Sequence, residues 1–141
     1  MREIKFKGLS NFGHCHIGNL SILKEEFWTS NGSIEAGTYI SNAKGAPFAY
    51  KVRPETVGQF TGLLDKNGKE IYEGDVVKID GSVEDISFVV SFREGGFCLG
   101  IQGEDAFNKH STFRDGMRQA HRACREFITE VVGNIHDKEA L

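Results

Sequence analysis

Four arginines, Arg114, Arg118, Arg122 and Arg125, recur at spacings of four, four and three residues. On an α-helix, at about 100° per residue, these spacings gather them into an arc of about 80°. A guanidinium fork matches phosphate or carboxylate with paired N–H donors. The stripe is therefore a candidate site for an anion or an acidic partner surface. Lys109 and His121 lie close by in sequence. The competing account is a solvated helix face whose arginines pair with acids of this chain or of a second copy.

Two other groupings have the residue types for chemistry. In His14-Cys15-His16 the two imidazoles would point to one side of a strand. Two ligands fall short of a zinc site, and nothing in the sequence brings His121-x-x-Cys124 near residue 14. Structural zinc normally comes with tight paired spacing such as C-x-x-C. The acids Asp65, Glu70, Glu73 and Asp75 cluster around turns. They have the chemistry of acid/base pairs or Mg²⁺ ligands, but such acids more often end strands and solvate loops, and Asp75 is expected to bond the backbone of its own turn. The chain has no G-x-S-x-G, no P-loop and no H-E-x-x-H. It reads as a non-enzyme with no metal and no cofactor.

The elements that must position these residues are mostly strands. Residues 55–80 read as two strands joined by Asp65-Lys66-Asn67-Gly68, with Asn and Gly where a hairpin needs positive φ. Glu73-Gly74-Asp75 opens a further hydrophobic strand. Ile86, Phe88, Val90 and Phe92 alternate, Arg93-Glu94-Gly95-Gly96 turns, and Phe97, Leu99 and Ile101 alternate back. That hairpin should have one core face, holding the three phenylalanines, and one wet face, on which Val89 is a misfit. Residues 2–8 alternate as a half-buried strand, residues 10–13 turn, and residues 14–23 form a second strand with Gly18-Asn19 as a bulge. Phe27 and Trp28 precede a turn at Asn31-Gly32, and residues 33–41 suit a third strand. Tyr39, Tyr50, Tyr72 and Trp28 are equally suited to core and surface. From 112 to 127, Phe113, Met117, Ala120, Cys124 and Phe127 recur at helical spacing, giving an amphipathic helix before a closing strand at 128–135.

Composition bounds the class. With 141 residues, 39 % of them hydrophobic and 11 Phe, a packed core is within reach of a single small domain. The 17 Gly favour many turns. A net charge of −3 disfavours general nucleic-acid coating. Charge at the N-terminus argues against a signal peptide, and no apolar run approaches the roughly 20 residues that span a bilayer. Cys15, Cys98 and Cys124, odd in number and widely spaced, read as free thiols of a reducing cytoplasm.

The opening MREIKF, the central T-V-G-Q-F-T-G-L-x-D-K-N-G-K-E-I-Y-E-G-D-x-V-K (residues 56–78) and the late V-x-G-N-I-H-D (residues 131–137) resemble the YopX-type family of bacteriophage and prophage proteins. The resemblance implies a mainly β fold, with an SH3-like roll around the Glu73-Gly74-Asp75 strand, in a protein of the bacterial cytoplasm. It supplies no catalytic residues.

The expectation is thus a β-rich α+β protein. An N-terminal β region, 1–53, precedes an SH3-like barrel or roll, 54–141, with a helix at about 112–127 ahead of the last strand. Its expected role is that of a non-catalytic accessory protein, a homo-oligomer that binds a host protein or a small anionic ligand. Nucleic-acid binding is the second reading and a small metal-dependent enzyme the third. No membrane partner is expected.

Overall fold

A computed structural model describes residues 3–42, 48–79, 87–93, 95–101 and 129–137. The expected helix at 112–127 lies outside the described residues. Among those described, strands dominate and a single 3-10 turn, Pro54–Thr56, supplies the helical content. The chain divides into two compact units between Gln59 and Phe60.

The first unit contains β1 (Phe6–Leu9), β2 (Cys15–Leu23), β3 (Phe27–Thr29), β4 (Gly32–Ile34), β5 (Gly37–Ser41), β6 (Ala49–Val52) and the start of β7 (Gly58–Leu64). β1 and β2 form an antiparallel hairpin in which Leu9 faces Cys15. β2 continues onto β5 from Asn19↔Ser41 to Leu23↔Gly37, and β5 onto β6. Ile40 and Val52 are buried beneath Gly8, where a Cβ would come within 3.0 Å of the Ile40 side chain. The 3-10 turn is tied down by Thr56, whose hydroxyl accepts from the Leu9 amide at 2.9 Å and donates to the Arg53 carbonyl at 2.7 Å.

Two expectations shift here. The first strand begins at Phe6, and Ile4 is exposed. Gly18 is no bulge, because β2 keeps its register with both neighbours. It is instead a close-approach site where a Cβ would collide with the Ser41 carbonyl.

In the second unit, β7 pairs with β8 (Glu70–Tyr72) around the 65–68 turn. Gly68 takes φ +80° and its amide donates to the Asp65 carbonyl, as the Asn-Gly pattern requires. The register slips between Phe60↔Tyr72 and Leu64↔Glu70. Gly62 accommodates that slip at φ +86°, and the Thr61 hydroxyl donates to the Ile71 carbonyl inside the irregularity. β9 (Asp75–Ile79), β10 (Phe88–Arg93), β11 (Gly96–Ile101) and β12 (Thr129–Asn134) form a sheet in the order β11-β10-β9-β12. The core of the second unit is Ile71, Val77, Val90 and Leu99, with Leu63, Ile79, Phe88 and Val131 packed against them.

The mainly β expectation holds. No closed barrel forms among the described strands, so the SH3-like barrel is not seen there: β9 is flanked by β10 and β12, and no pairing joins β11 to β12. Closure needs pairing between distant strands, which local alternation does not encode. The wet-face expectation for the β10–β11 hairpin also fails at its centre. Val89 and Cys98 are buried alongside Val90 and Leu99, whereas Phe92 is 50 % exposed and leans edge-on against Phe97. A sheet covered on both faces reads as continuous apolar sequence, so the expected misfit of Val89 marks a second packed face.

Candidate functional site

A polar-aromatic cleft among the described residues is built by the β1–β2 connection and β6. Ser10 shapes the connection. Its amide donates to the His14 carbonyl at 2.9 Å, and its hydroxyl accepts from the amides of Phe12 and His14 at 3.3 and 3.2 Å. Gly13 closes the turn at φ +80° with its amide on the Ser10 carbonyl. The loop thereby holds Phe12 out, 87 % exposed. His16, on β2, lies face to face with Tyr50 of β6, with centroids 3.9 Å apart and planes 11° from parallel. Together with Asn11, His14 and Lys51 these residues line a cleft of about 340 Å³. Burial, and secondarily the charge of His14, push the His16 imidazole below its ordinary pKa of 6.5, so it is predominantly neutral at pH 7. Lys51 Nζ sits 2.7 Å from Glu35 Oε1, and this hydrogen-bonded carboxylate raises its pKa.

The expected site residues separate into three groups. Arg114, Arg118, Arg122 and Arg125 lie outside the described residues, as do Lys109, His121 and Cys124. His14 and His16 share the cleft, and among the described residues no three His, Cys, Asp or Glu side chains gather as a metal site. The acids near the turns are anchors. Asp65 and Asp75 are each 1 % exposed. Asp65 Oδ1 accepts from the amides of Asn67 and Lys69, both at 2.8 Å, and its Oδ2 accepts from the Val131 amide at 3.0 Å. Burial alone would raise the Asp65 pKa, but these three amides and the charge of Lys69 outweigh it and hold the carboxyl below its ordinary 3.8. Asp75 Oδ2 accepts from the Tyr72 amide at 2.8 Å, the expected bond to its own turn, and Oδ1 accepts from Asn134 Nδ2 at 2.9 Å. Burial raises the pKa of Glu73, between them on the same turn system.

The late V-x-G-N-I-H-D segment is what these carboxylates grip. Asn134 also caps its own turn, accepting from the His136 amide and donating its amide to Asp137, both at 2.9 Å. Ile135 donates to the Gly74 carbonyl at 2.9 Å. The central and late motifs thus meet in one hydrogen-bonded clamp.

Residues 19–141 match the YopX protein family. The chain belongs to the YopX family. The matched span holds both clamp motifs, while the opening MREIKF falls before it. Membership suggests a phage-type accessory protein, and the residues that carry the likeness do structural work: turns at Gly68 and Gly74, register at Gly62, anchoring at Asp65 and Asp75. A crystal structure of protein EF1440 from Enterococcus faecalis is similar over 99 % of this chain and 97 % of that one, at 22 % identity and a TM-score of 0.46. No curated protein gives a significant match. Among the described residues no helix is long and apolar enough to cross a membrane.

Sequence reasoning missed Phe12 and Tyr50 as site residues. The sequence placed Phe12 only within the 10–13 turn, and the Tyr50 stack joins strands distant in sequence.

Proposed function

We propose that the protein is a non-catalytic accessory protein of the bacterial cytoplasm that acts, as a homo-oligomer, by docking a host protein. The observation that supports this reading is the β3–β4 ribbon, in which Trp28 is 72 % exposed, Phe27 57 % and Ile34 41 %. Phe27 pairs directly with Ile34 and Trp28 with Ser33, so Trp28 lies on one face of the ribbon and Phe27 and Ile34 on the other. Two-stranded ribbons are marginal in water without something to pack on. Apolar groups on both faces favour insertion into a groove over lying flat on a surface. The flanking acids Glu25 and Glu26 favour a groove with a basic rim and disfavour nucleic acid. Trp is among the residue types that most often dominate interface energetics, and Phe is enriched at interface cores.

The test compares the wild type with Trp28→Ser and with the double variant Arg118→Glu/Arg122→Glu in pull-downs from host lysate, with native mass spectrometry for subunit number. The reading expects one stoichiometric host protein, kept by the arginine variant and lost by Trp28→Ser, on a homo-oligomer. Loss with the arginine variant alone would move the host-protein contact to the stripe. Equal capture by the folded Trp28→Ser protein would end the ribbon's role.

A further inference from the structure

The cleft beside β6 has features that docking through the β3–β4 ribbon does not use. A His–Tyr stack with planes 11° apart, both rings lining the cleft, is an aromatic wall. Planar rings gain most from such a surface when they join it in parallel offset contact. Phe12 is held at the same cleft by the Ser10 turn, 87 % exposed, at the expense of keeping an apolar ring in water. A cleft of about 340 Å³ is near the lower end of the range for small-molecule sites and suits one ring system with a substituent. The remaining lining groups are directional. The Asn11 amide has both a donor and an acceptor for a heterocycle edge, and His14 and Lys51 carry N–H donors suited to an anionic group.

We propose that this cleft binds the nucleobase of a nucleotide, stacked among Phe12, His16 and Tyr50, with its phosphate directed toward His14 and Lys51. Nucleobases are planar, carry donors and acceptors on their edges, and stack on aromatic side chains whatever the base. The neutral imidazole of His16 leaves that ring free of the desolvation cost that a charged ring would meet under a base. Lys51 keeps its Glu35 bond and still has two further N–H groups to offer. The nucleobase could arrive on a free nucleotide or on a single strand, and the two sources are separable.

The experiment titrates AMP, GMP, CMP and UMP, ribose 5-phosphate, and a short deoxythymidine oligonucleotide into the whole protein, following the His16 and Tyr50 ring protons by NMR. Ring-current shifts that saturate with a mononucleotide and are absent with ribose 5-phosphate are expected. Phe12→Ala should weaken the binding about fivefold or more without lowering the melting temperature, since Phe12 is exposed. Tyr50→Leu should remove the shift at His16. Saturation only by the oligonucleotide, with the same ring shifts, would support the site and assign it to a single strand. Equal shifts from ribose 5-phosphate would overturn base stacking, and no ring shift with any probe would overturn the site. Neither result bears on the ribbon, whose test reads Trp28.

Discussion

Asp75 and Asn134, 59 residues apart in sequence, meet through a 2.9 Å hydrogen bond between their side chains. Asn134 faces Asp75 across the β9–β12 ladder, so the pair fixes where the last strand ends against the strand opened by Gly74. Removing the carboxylate strands two donors, the Tyr72 amide and Asn134 Nδ2, in a place water hardly reaches. Asp75→Ala is expected to cost about 2–4 kcal/mol. Urea denaturation should show this as a fall in midpoint, while Lys78→Ala, at an exposed position of β9, should stay within about 0.5 kcal/mol of wild type.

The second anchor has a pH signature. The folded-state pKa of Asp65 lies below its ordinary 3.8. The native state therefore releases this proton more readily than the unfolded chain does. Its contribution is present above about pH 4 and is lost as pH falls through the lower, folded value. Thermal melts from pH 7 to pH 2 should show the wild type losing its advantage over Asp65→Asn in that acid window. A difference that stayed constant down to pH 2 would show that Asp65 does not titrate as the geometry requires.

Gly18 tests the packing between β2 and β5. Because a Cβ there would strike the Ser41 carbonyl, which is backbone and cannot rotate away, Gly18→Ala should separate the strands locally. The expected loss is about 1–3 kcal/mol, against almost none for Ser21→Ala at an exposed position of the same strand. Amide exchange at the Asn19↔Ser41 and Leu20↔Ile40 pairs should accelerate in the glycine variant.

Thiol chemistry separates two of the cysteines. Cys15 is exposed and Cys98 is buried. A maleimide should modify Cys15 within minutes in the native protein and reach Cys98 only after denaturation. Peptide mass mapping distinguishes the sites. Native labelling of Cys98 would show that β10 and β11 open readily.

The amino-acid sequence by itself determined what is encoded within a few residues. The Asn-Gly turn at 67–68, the 10–13 turn and the alternation of β10 and β11 need only short-range sterics and a period of two. The motifs also carried the family. Only the tertiary structure decided which acids are anchors, because Asp65 and Asp75 become buried by pairing with Val131 and Asn134, far along the chain. It also decided that Val89 and Cys98 are core while Phe92 is exposed, since burial depends on what covers each sheet face and not on the strand's own pattern. The Tyr50–His16 stack has the same origin. Rings on β6 and β2 meet because pairing onto β5 places both strands in one sheet, and that pairing is a property of the folded chain.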